Sequence, residues 1–453
     1  MDDFTAIKNY LESHLEESIQ ELETLCAQPS VAAQNWGLIE CAELVRAMLT
    51  ERGFSVSILQ TGGAPVVFAT RAGRTDKTLL FYNHYDVQPP EPLELWETPP
   101  FEPARRDGRL FARGVSDDKG HITSRLHAID ALLAVEGDLP CNVKFIIEGE
   151  EETSSLHLHS FIEDHQDLLT ADACIWEFGG VDHRDVPIQY LGMRGICYVE
   201  LRVRTASIDA HSGLGGSIFP NAAWRLVWAL NSLKGQDERV RLPGHYDKVI
   251  PPSQRDLELL KALPDEAEDH KERYGLDRFL MGLSGGLDLK IAEVFEPTCT
   301  ICGITSGYQG EGAKTVLPAY ASAKVDFRLV PNQMPEDVLI NLRKHLDNEG
   351  FADIEIVYLG GEPPARTDPD DAFVKLVMEA AEPVYNHPMQ VKPMIGGSGP
   401  NYPFIHTLKL PVATAGVSYP GSQAHAPNEN LRLDLYLKGA EHIARILKLF
   451  GES

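Results

Sequence analysis

The chain has 453 residues, of which 67 are acidic and 41 are basic, so its formal net charge is −26. This excess of negative charge disfavours nucleic acids and anionic membranes as partners, because both attract basic protein surfaces. The hydrophobic fraction of 43% and the charged fraction of 24% are those of a globular protein with a core of useful size.

The first ten residues, MDDFTAIKNY, are acidic and contain no apolar run of the kind that secretory signals carry. No stretch of the sequence approaches the roughly 20 apolar residues of a membrane span. The seven cysteines are scattered and odd in number, which is typical of a reducing compartment rather than of a disulfide framework. We therefore expect a cytoplasmic protein that has neither a membrane nor a nucleic acid as partner.

Hydrophobic spacing in the first part of the chain predicts helices and strands in alternation. Apolar residues at three- and four-residue steps from Phe4 to Leu25 predict a helix that Pro29 closes. Further helices are predicted at 118–135 and 155–169. Strands are predicted at 54–59, 65–70, 78–82, 142–147 and 171–176. This alternation predicts an α/β fold with a mainly parallel sheet.

After about residue 186 the order of elements becomes β-α-β-β-α-β, which is typical of a ferredoxin-like α+β sandwich. The four strands are predicted at 195–203, 299–305, 319–329 and 353–358. The two helices are predicted at 221–233 and 336–347, and an acidic, helical insertion at about 236–296. On the helix at 221–233, we expect Trp224, Val227, Trp228 and Leu230 to face a core.

The first pattern resumes near Pro363, with helices at 372–384 and 431–449 and a short strand at 412–415. We therefore predict two domains. One is discontinuous and comprises residues 1–187 and 363–453, and residues 188–362 form a second domain inserted into it.

Histidine and acidic side chains gather at strand ends and adjoining loops of the discontinuous domain. His84 follows the apolar run 78–82, and Asp86, two residues later, points to the same side. The acidic run Glu150–Glu152 directly follows the strand at 142–147, where like charges repel one another unless a positive group lies nearby. Glu177 follows the strand at 171–176.

Two further clusters lie in loops. The adjacent acids Asp117 and Asp118 stand among glycines before a helix, where they either hold a cation or cap the helix. His425 lies in a loop before the last helix. Together with the strand-end residues, these side chains match a site for a pair of divalent metal ions.

These motifs resemble those of the M20 family of metallopeptidases, in the family's order. They are HxDVQP at 84–89, RGxxDDKG at 113–120, EGxEE at 148–152, and His425 followed by Pro-Asn-Glu at 427–429. Within the family, the sequence is most similar to the cytosolic nonspecific dipeptidase and carnosinase branch. The segments that carry this likeness are 191–198, 211–213, 312–318 and 328–332.

The resemblance implies two divalent metal ions per chain, Zn²⁺ in the first place, with Mn²⁺ or Co²⁺ as alternatives. His84 and Glu177 would hold one ion, Glu152 and His425 the other, and Asp117 would bridge them.

The resemblance also implies the catalytic residues. Glu151 would be the general base that takes a proton from a metal-bridged water and passes it to the leaving nitrogen. Asp86 would orient the imidazole of His84. The reaction would be cleavage of the amide bond of dipeptides or short peptides with a free carboxylate.

In the family, the inserted domain serves as a lid and as the contact of a homodimer. By resemblance, His211 would reach the partner's active site and Thr315 would contact substrate. Arg328 would bind the substrate carboxylate, which guanidinium geometry suits, and Ser398 would line the same pocket.

The sequence departs from the dipeptidase pattern at two places. Glu177 stands where dipeptidases usually carry Asp. The motif that usually reads EGxEESGS here ends in Thr153-Ser154-Ser155, so its glycine is lost in the loop after the base. Glu at position 177 is more typical of carboxypeptidases and deacylases, so an N-acyl amino acid deacylase or a carboxypeptidase-type amidohydrolase is the alternative function. A non-catalytic binding protein is a third hypothesis.

Overall fold

The computed structural model describes residues 3–453, so Met1 and Asp2, which belong to the predicted first domain, lie outside the described residues. The chain divides into two compact units. The first unit comprises the residues up to Leu191 together with Arg366–Pro393 and Pro400–Ser453. The second unit comprises Gly192–Ala365 and Met394–Gly399.

The described residues form fourteen α-helices. In chain order they are α1 (Asp3–Ser13), α2 (Leu15–Ala27), α3 (Leu38–Glu51), α4 (Lys119–Glu136), α5 (Leu158–Asp164), α6 (Gln166–Leu169), α7 (Ser212–Gly215), α8 (Ala222–Leu233), α9 (Gln254–Ala262), α10 (Ala267–Tyr274), α11 (Gly286–Phe295), α12 (Pro335–Asn348), α13 (Ala372–Tyr385) and α14 (Leu433–Glu452). Short 3-10 helices span Ala32–Gln34, Leu93–Leu95, Glu151–Thr153 and Leu280–Gly282, and a π-helix spans Pro403–Thr407. Within residues 3–453, no helix combines the length and the apolar character needed to cross a bilayer.

The strands of the described residues are more numerous than the sequence predicts. In chain order they are β1 (Ser55–Leu59), β2 (Val66–Arg71), β3 (Thr78–His84), β4 (Ala104–Arg106), β5 (Arg109–Phe111), β6 (Asn142–Glu148), β7 (Ala173–Trp176), β8 (Gly180–Val181), β9 (Pro187–Tyr190), β10 (Gly192–Met193), β11 (Gly195–Arg204), β12 (Ala210–His211), β13 (Thr298–Ser306), β14 (Val316–Leu317), β15 (Tyr320–Leu329), β16 (Glu355–Glu362), β17 (Ala365–Arg366), β18 (Gln390–Lys392), β19 (Val412–Thr414) and β20 (Asn430–Arg432).

A six-stranded sheet with the order β1-β2-β6-β3-β7-β19 forms the centre of the first unit. The four strands β6, β3, β7 and β19 are parallel to one another, which confirms a mostly parallel central sheet, and β2 pairs antiparallel with β6. At the other edge, β1 and β2 pair antiparallel, because the connection of residues 60–65 is too short for a parallel crossover. The middle of β3 is buried on both faces, as parallel strands usually are.

Two predicted helices of the first unit are divided in the structure. The helix predicted from Phe4 to Leu25 becomes α1 and α2, because His14 leaves helical geometry with φ −111° and ψ 15°. The helix predicted at 155–169 becomes α5 and α6, with the break at His165. Hydrophobic spacing continues across both breaks, so the pattern alone does not locate them.

The second unit contains a four-stranded antiparallel sheet with the order β13-β15-β11-β16. With α8 after β11 and α12 after β15, the chain runs in the predicted β-α-β-β-α-β order. One face of the sheet packs on these helices around a core that includes Val199, Leu201, Val325, Phe327 and Leu342. The predicted helical insertion contains α9, α10 and α11.

The outward face of α8 is apolar and exposed. Trp224, Val227 and Trp228 are 57%, 43% and 55% exposed, whereas Leu230 is 8% exposed. The expectation that all four side chains face a core is therefore wrong for three of them. The reason is that α8 packs on the sheet through its opposite face, which includes the buried Leu226.

Leu80 lies in the middle of β3 and is fully buried. We expect Leu80→Ala to lower the free energy of unfolding of the protein by about 2–5 kcal/mol, since it removes buried apolar contacts and leaves a cavity. Urea unfolding followed by tryptophan fluorescence measures the change.

The control is Leu93→Ala, because Leu93 is 53% exposed and its loss should change stability by less than about 0.5 kcal/mol. Equal effects of the two substitutions would contradict the placement of β3 in the core.

Candidate metal centre

The carboxyl ends of β3, β6 and β7 lie at one edge of the first unit's sheet, because β3 pairs in parallel with both neighbours. His84 is the last residue of β3, and Glu177 directly follows β7. Both side chains are buried, and His84 Nε2 lies 4.0 Å from Glu177 Oε2. The edge thus brings an imidazole and a carboxylate together where open α/β sheets bind ligands.

A short strand that the sequence did not predict brings the remaining clusters together. β20 pairs antiparallel with β5, so the loop before β20 lies beside the loop after β5. The first of these loops carries His425, and the second carries Asp117. Two segments that are 308 residues apart therefore meet at one place.

Asp117 stands between the two histidines. Its Oδ1 lies 3.0 Å from His84 Nε2, and its Oδ2 lies 3.0 Å from His425 Nε2. One carboxylate thus presents each of its oxygens to a different imidazole. The peptide bond between Asp117 and Asp118 is cis.

On the far side of Asp117, His425 also approaches Glu152. His425 Nε2 lies 3.2 Å from Glu152 Oε2, and the amide of Gln88 donates to the same oxygen at 2.7 Å. Asp117, Glu152 and His425 each offer a ligand atom, and these atoms all lie within 4.8 Å of one another. His425 is half exposed, so this end of the cluster is open to solvent.

Asp86 holds the backbone of the two acids that follow β6. Its carboxylate accepts hydrogen bonds from Glu151 N at 3.2 Å and Glu152 N at 3.0 Å. The nearest Asp86 atom to His84 Nδ1 is the main-chain oxygen at 3.0 Å, with carboxylate Oδ1 at 3.4 Å. Asp86 therefore contacts both His84 and the segment that carries Glu151.

The protonation of this cluster reflects the crowding of its charges. Hydrogen bonds to Asp117 and Glu152 raise the pKa of His425 to about 10. Burial lowers the pKa of His84, but hydrogen bonds to Asp117 and Asp86 outweigh burial and hold it well above its ordinary value. A metal ion that binds the imidazole of His84 or His425 takes the place of the proton on that nitrogen.

The donor atoms of Asp117, Glu152 and His425 could hold one divalent ion, and a second set of donor atoms surrounds His84. Glu177 Oε2 is buried and has no hydrogen-bond partner among residues 3–453, although such an oxygen is costly to leave unpaired. It shares its surroundings with His84 Nε2 and Asp117 Oδ1, and three protein ligands of this kind suit a catalytic metal position. Mixed nitrogen and oxygen donors suit zinc, manganese or cobalt.

Glu429 is a residue of this site whose role the sequence did not predict. Its buried carboxylate accepts main-chain hydrogen bonds from Gly114 at 2.8 Å, Ser116 at 2.8 Å and Asp117 at 3.1 Å. It also pairs with the buried guanidinium of Arg113 at 2.9 Å. Glu429 therefore fixes the loop that carries Asp117. The Pro-Asn-Glu segment of the motif was the sequence signal for Glu429. It did not reveal the partner Arg113, which is 316 residues away in the sequence.

The adjacent aspartates have an alternative interpretation, in which one of them caps the next helix. Their contacts do not agree with it. Asp118 occupies the N-cap position of α4, yet its side chain makes no capping hydrogen bond. Its Oδ2 instead accepts from His84 N at 3.2 Å and from Asn83 Nδ2 at 2.5 Å. Both aspartates thus contact the strand that carries His84.

The four predicted substrate-binding residues belong to the second unit, where they form two pairs. His211 Nε2 lies 3.4 Å from Thr315 Oγ1, and His211 Nδ1 accepts from Gly213 N at 3.0 Å. The guanidinium of Arg328 donates to Ser398 Oγ at 2.8 Å. His211 and Thr315 are exposed, and Arg328 is partly buried.

The sequence matches the family model described as Peptidase family M20/M25/M40 over residues 80–449. This range includes most of the strand that ends at His84, all the clusters described above and most of α14. It also includes the whole of the second unit.

Two curated relatives and one solved structure show the same likeness. A human Beta-Ala-His dipeptidase is 32% identical over 296 residues, which are 63% of this chain and 56% of that protein. A Cys-Gly metallodipeptidase of Schizosaccharomyces pombe is 31% identical over 379 residues, which are 80% of this chain and 78% of that protein. The crystal structure of an M20 family metallo-carboxypeptidase from Sulfolobus solfataricus is 36% identical and covers 96% of this chain and 100% of its own, with a TM-score of 0.92.

The predicted M20 resemblance is confirmed by the family model and by these relatives together. The chain belongs to the M20/M25/M40 family of peptidases and is an M20-type metallopeptidase.

Proposed function

We propose that the protein uses two divalent metal ions to cleave the amide bond of dipeptides or short peptides that have a free carboxylate. The observation that carries this proposal is the position of Asp117, with an imidazole nitrogen 3.0 Å from each of its oxygens. The relatives named as dipeptidases support the substrate class.

His84 and Glu177 would hold one ion, Glu152 and His425 the second, and Asp117 would serve both. We propose Zn²⁺ as the ion, with Mn²⁺ or Co²⁺ as alternatives, because affinity for such ligands is higher for zinc than for manganese. When bound, the ions supply an activated water and a positive charge that polarises the amide carbonyl.

Glu151 is the proposed general base. It lies in the 3-10 helix that follows β6, and Asp86 holds its main-chain nitrogen. Burial raises the pKa of Glu151 well above its ordinary value, and the negative charge of Asp117 adds to the rise. A carboxylate with a raised pKa is a better proton acceptor, so it can take the proton of the attacking water and return it to the leaving nitrogen.

Arg328 is the proposed ligand of the substrate carboxylate, because a guanidinium offers two parallel donors to a carboxylate. Its contact with Ser398 orients the guanidinium. His211 and Thr315 are proposed to bind the substrate from the lid, with His211 acting on the carbonyl oxygen in the partner subunit's site.

The second unit is proposed to be a lid and the contact of a homodimer. Its exposed apolar face on α8, where the rings of Trp224 and Trp228 stack 5.9 Å apart, supports self-association. Exposed apolar patches of this kind are typical of interaction surfaces. A cytoplasmic location remains a prediction, with which the seven free cysteines are consistent.

A second candidate function is a carboxypeptidase-type amidohydrolase or an N-acyl amino acid deacylase. Two observations favour it. Glu177 stands where dipeptidases usually carry Asp, and the solved structure that is 36% identical is described as a metallo-carboxypeptidase. Both candidates share the metal ligands and the base, so they differ in the substrate and not in the chemistry.

Glu151→Gln is expected to bind two metal ions per chain, yet to lose about 10²–10⁴-fold in kcat, because the amide cannot accept a proton. Steady-state kinetics and elemental analysis of the same sample measure both quantities. The control is Glu163→Gln, since Glu163 is an exposed acid of the same unit. An unchanged kcat for Glu151→Gln would remove Glu151 as the base.

A substrate panel separates the two candidate functions. Dipeptides, tripeptides, dipeptide amides and N-acyl amino acids are incubated with the enzyme before and after chelation, and after addition of Zn²⁺, Mn²⁺ or Co²⁺. We expect hydrolysis of dipeptides but not of their amides, its loss on chelation and its recovery with metal. Hydrolysis that survives chelation would refute the metal mechanism, and hydrolysis of acyl amino acids alone would establish the second candidate.

A further inference from the structure

A fully buried arginine lies beside the proposed metal centre and has no part in the proposed reaction. Arg125 belongs to α4, and its side chain has no exposed surface. Its Nη1 donates to Tyr82 O at 2.8 Å and to Asn83 Oδ1. Its Nη2 donates to Glu177 O at 3.1 Å and to Trp176 O.

These acceptors belong to the ends of two strands. The paired register of β3 and β7 ends with Phe81 opposite Ile175. The acceptors are the next residues on each strand. Tyr82 and Asn83 directly precede His84 on one strand, and Trp176 and Glu177 are the acceptors on the other. The guanidinium of Arg125 therefore joins β3 to β7 where their paired register stops.

Asn83 extends this connection to the loop of the bridging aspartate. Its side chain accepts from Arg125 and donates to Asp118 Oδ2 at 2.5 Å. The same Asp118 oxygen accepts from His84 N at 3.2 Å, and the other Asp118 oxygen lies 2.9 Å from His121 Nδ1. Asp118, His121 and Arg125 follow one another at helical spacing, so one face of α4 contacts both the strand end and the loop.

The planar guanidinium of an arginine is suited to joining two strands, because its donors reach acceptors on both strands at fixed angles. A lysine has the same charge but a single nitrogen. Burial lowers the pKa of Arg125 to about 10, so the side chain remains a cation near neutral pH. Since a cation repels nearby metal ions, its charge alone would weaken metal binding, and a favourable role must come from geometry.

We propose that Arg125 is a positioning residue that sets the separation of His84 and Glu177, and thereby the affinity of the metal position that these two residues form. This inference rests on the proposed function, because it takes His84 and Glu177 as ligands of one ion. It predicts that loss of the guanidinium weakens one metal position and spares the other.

The experiment isolates each position by removing a ligand of the other. In His425→Ala, the remaining position is that of His84, Glu177 and Asp117. In His84→Ala, the remaining position is that of Asp117, Glu152 and His425. Arg125→Lys is introduced into both backgrounds, and Zn²⁺ affinity is measured by competition with a chromophoric chelator.

We expect Arg125→Lys to weaken Zn²⁺ binding about 10–100-fold in the His425→Ala background, as substitutions behind metal ligands commonly do. In the His84→Ala background, the affinity should change less than threefold, as an approximate limit for an indirect effect. Arg125→Gln, which removes the charge, should also weaken the first position. An unchanged or higher affinity there, or equal losses in both backgrounds, would overturn the inference.

Two further variants keep the test valid if Arg125→Lys folds poorly. Asn83→Ser removes the connection between Arg125 and Asp118 and should weaken the same position. Arg52→Lys is the matched control, because Arg52 is another largely buried arginine of the first unit, paired with Glu21 and Asp130. It should leave Zn²⁺ affinity unchanged in both backgrounds, and a loss there equal to that of Arg125→Lys would overturn the specific role.

The outcome also separates this inference from the proposed function. If the otherwise unchanged protein fails to bind two ions, the proposed metal centre is wrong and the inference falls with it. If it binds two ions and each ligand variant binds one, while Arg125→Lys changes neither affinity, only the inference on Arg125 is wrong.

Discussion

The carboxylate of Asp117 directs one oxygen to the imidazole of His84 and the other to that of His425. The surrounding elements of the first unit hold these three residues in this arrangement. Each oxygen lies 3.0 Å from a histidine nitrogen, one at a strand end and the other in a distant loop. A carboxylate in this position suits two cations held side by side, because each cation can take one oxygen. Without those cations, the neighbouring acids repel one another, and protons on the histidines offset part of their charge.

Three buried connections hold this arrangement in place. The pairing of β20 with β5 brings His425 beside the loop of Asp117, and Glu429 accepts hydrogen bonds from the main chain of that loop. Arg125 joins the ends of the two strands that carry His84 and Glu177. All are polar contacts inside the protein, where an unpaired partner is costly, so each favours one geometry.

Much of the fold was predictable because hydrophobic spacing reports which face of an element is buried. The parallel strands β3, β6 and β7 and the helix α4 follow from it, and the strand ends then indicate where His84 and Glu177 lie. The same signal does not detect a helix break such as that at His14. It also misassigned Trp224 and Trp228, because an apolar face that meets solvent has the same spacing as one that meets a core.

The supporting residues of the site were harder to predict than its proposed metal ligands. Arg125 donates to main-chain carbonyls and Glu429 accepts from main-chain nitrogens, all distant in sequence, and main-chain groups leave no pattern of residue types. The sequence signals were the DDKG motif, which precedes Arg125, and the Pro-Asn-Glu motif, which includes Glu429. The proposed metal ligands, by contrast, are residue types that few other roles require in such a combination.

Asp117 is proposed to bridge two metal ions. A crystal of the protein loaded with Zn²⁺, with anomalous data collected at the zinc edge, shows whether it does. We expect two peaks per chain about 3.5–4 Å apart, with one oxygen of Asp117 directed at each. A single peak, or two peaks of which neither contacts Asp117, would contradict this proposal.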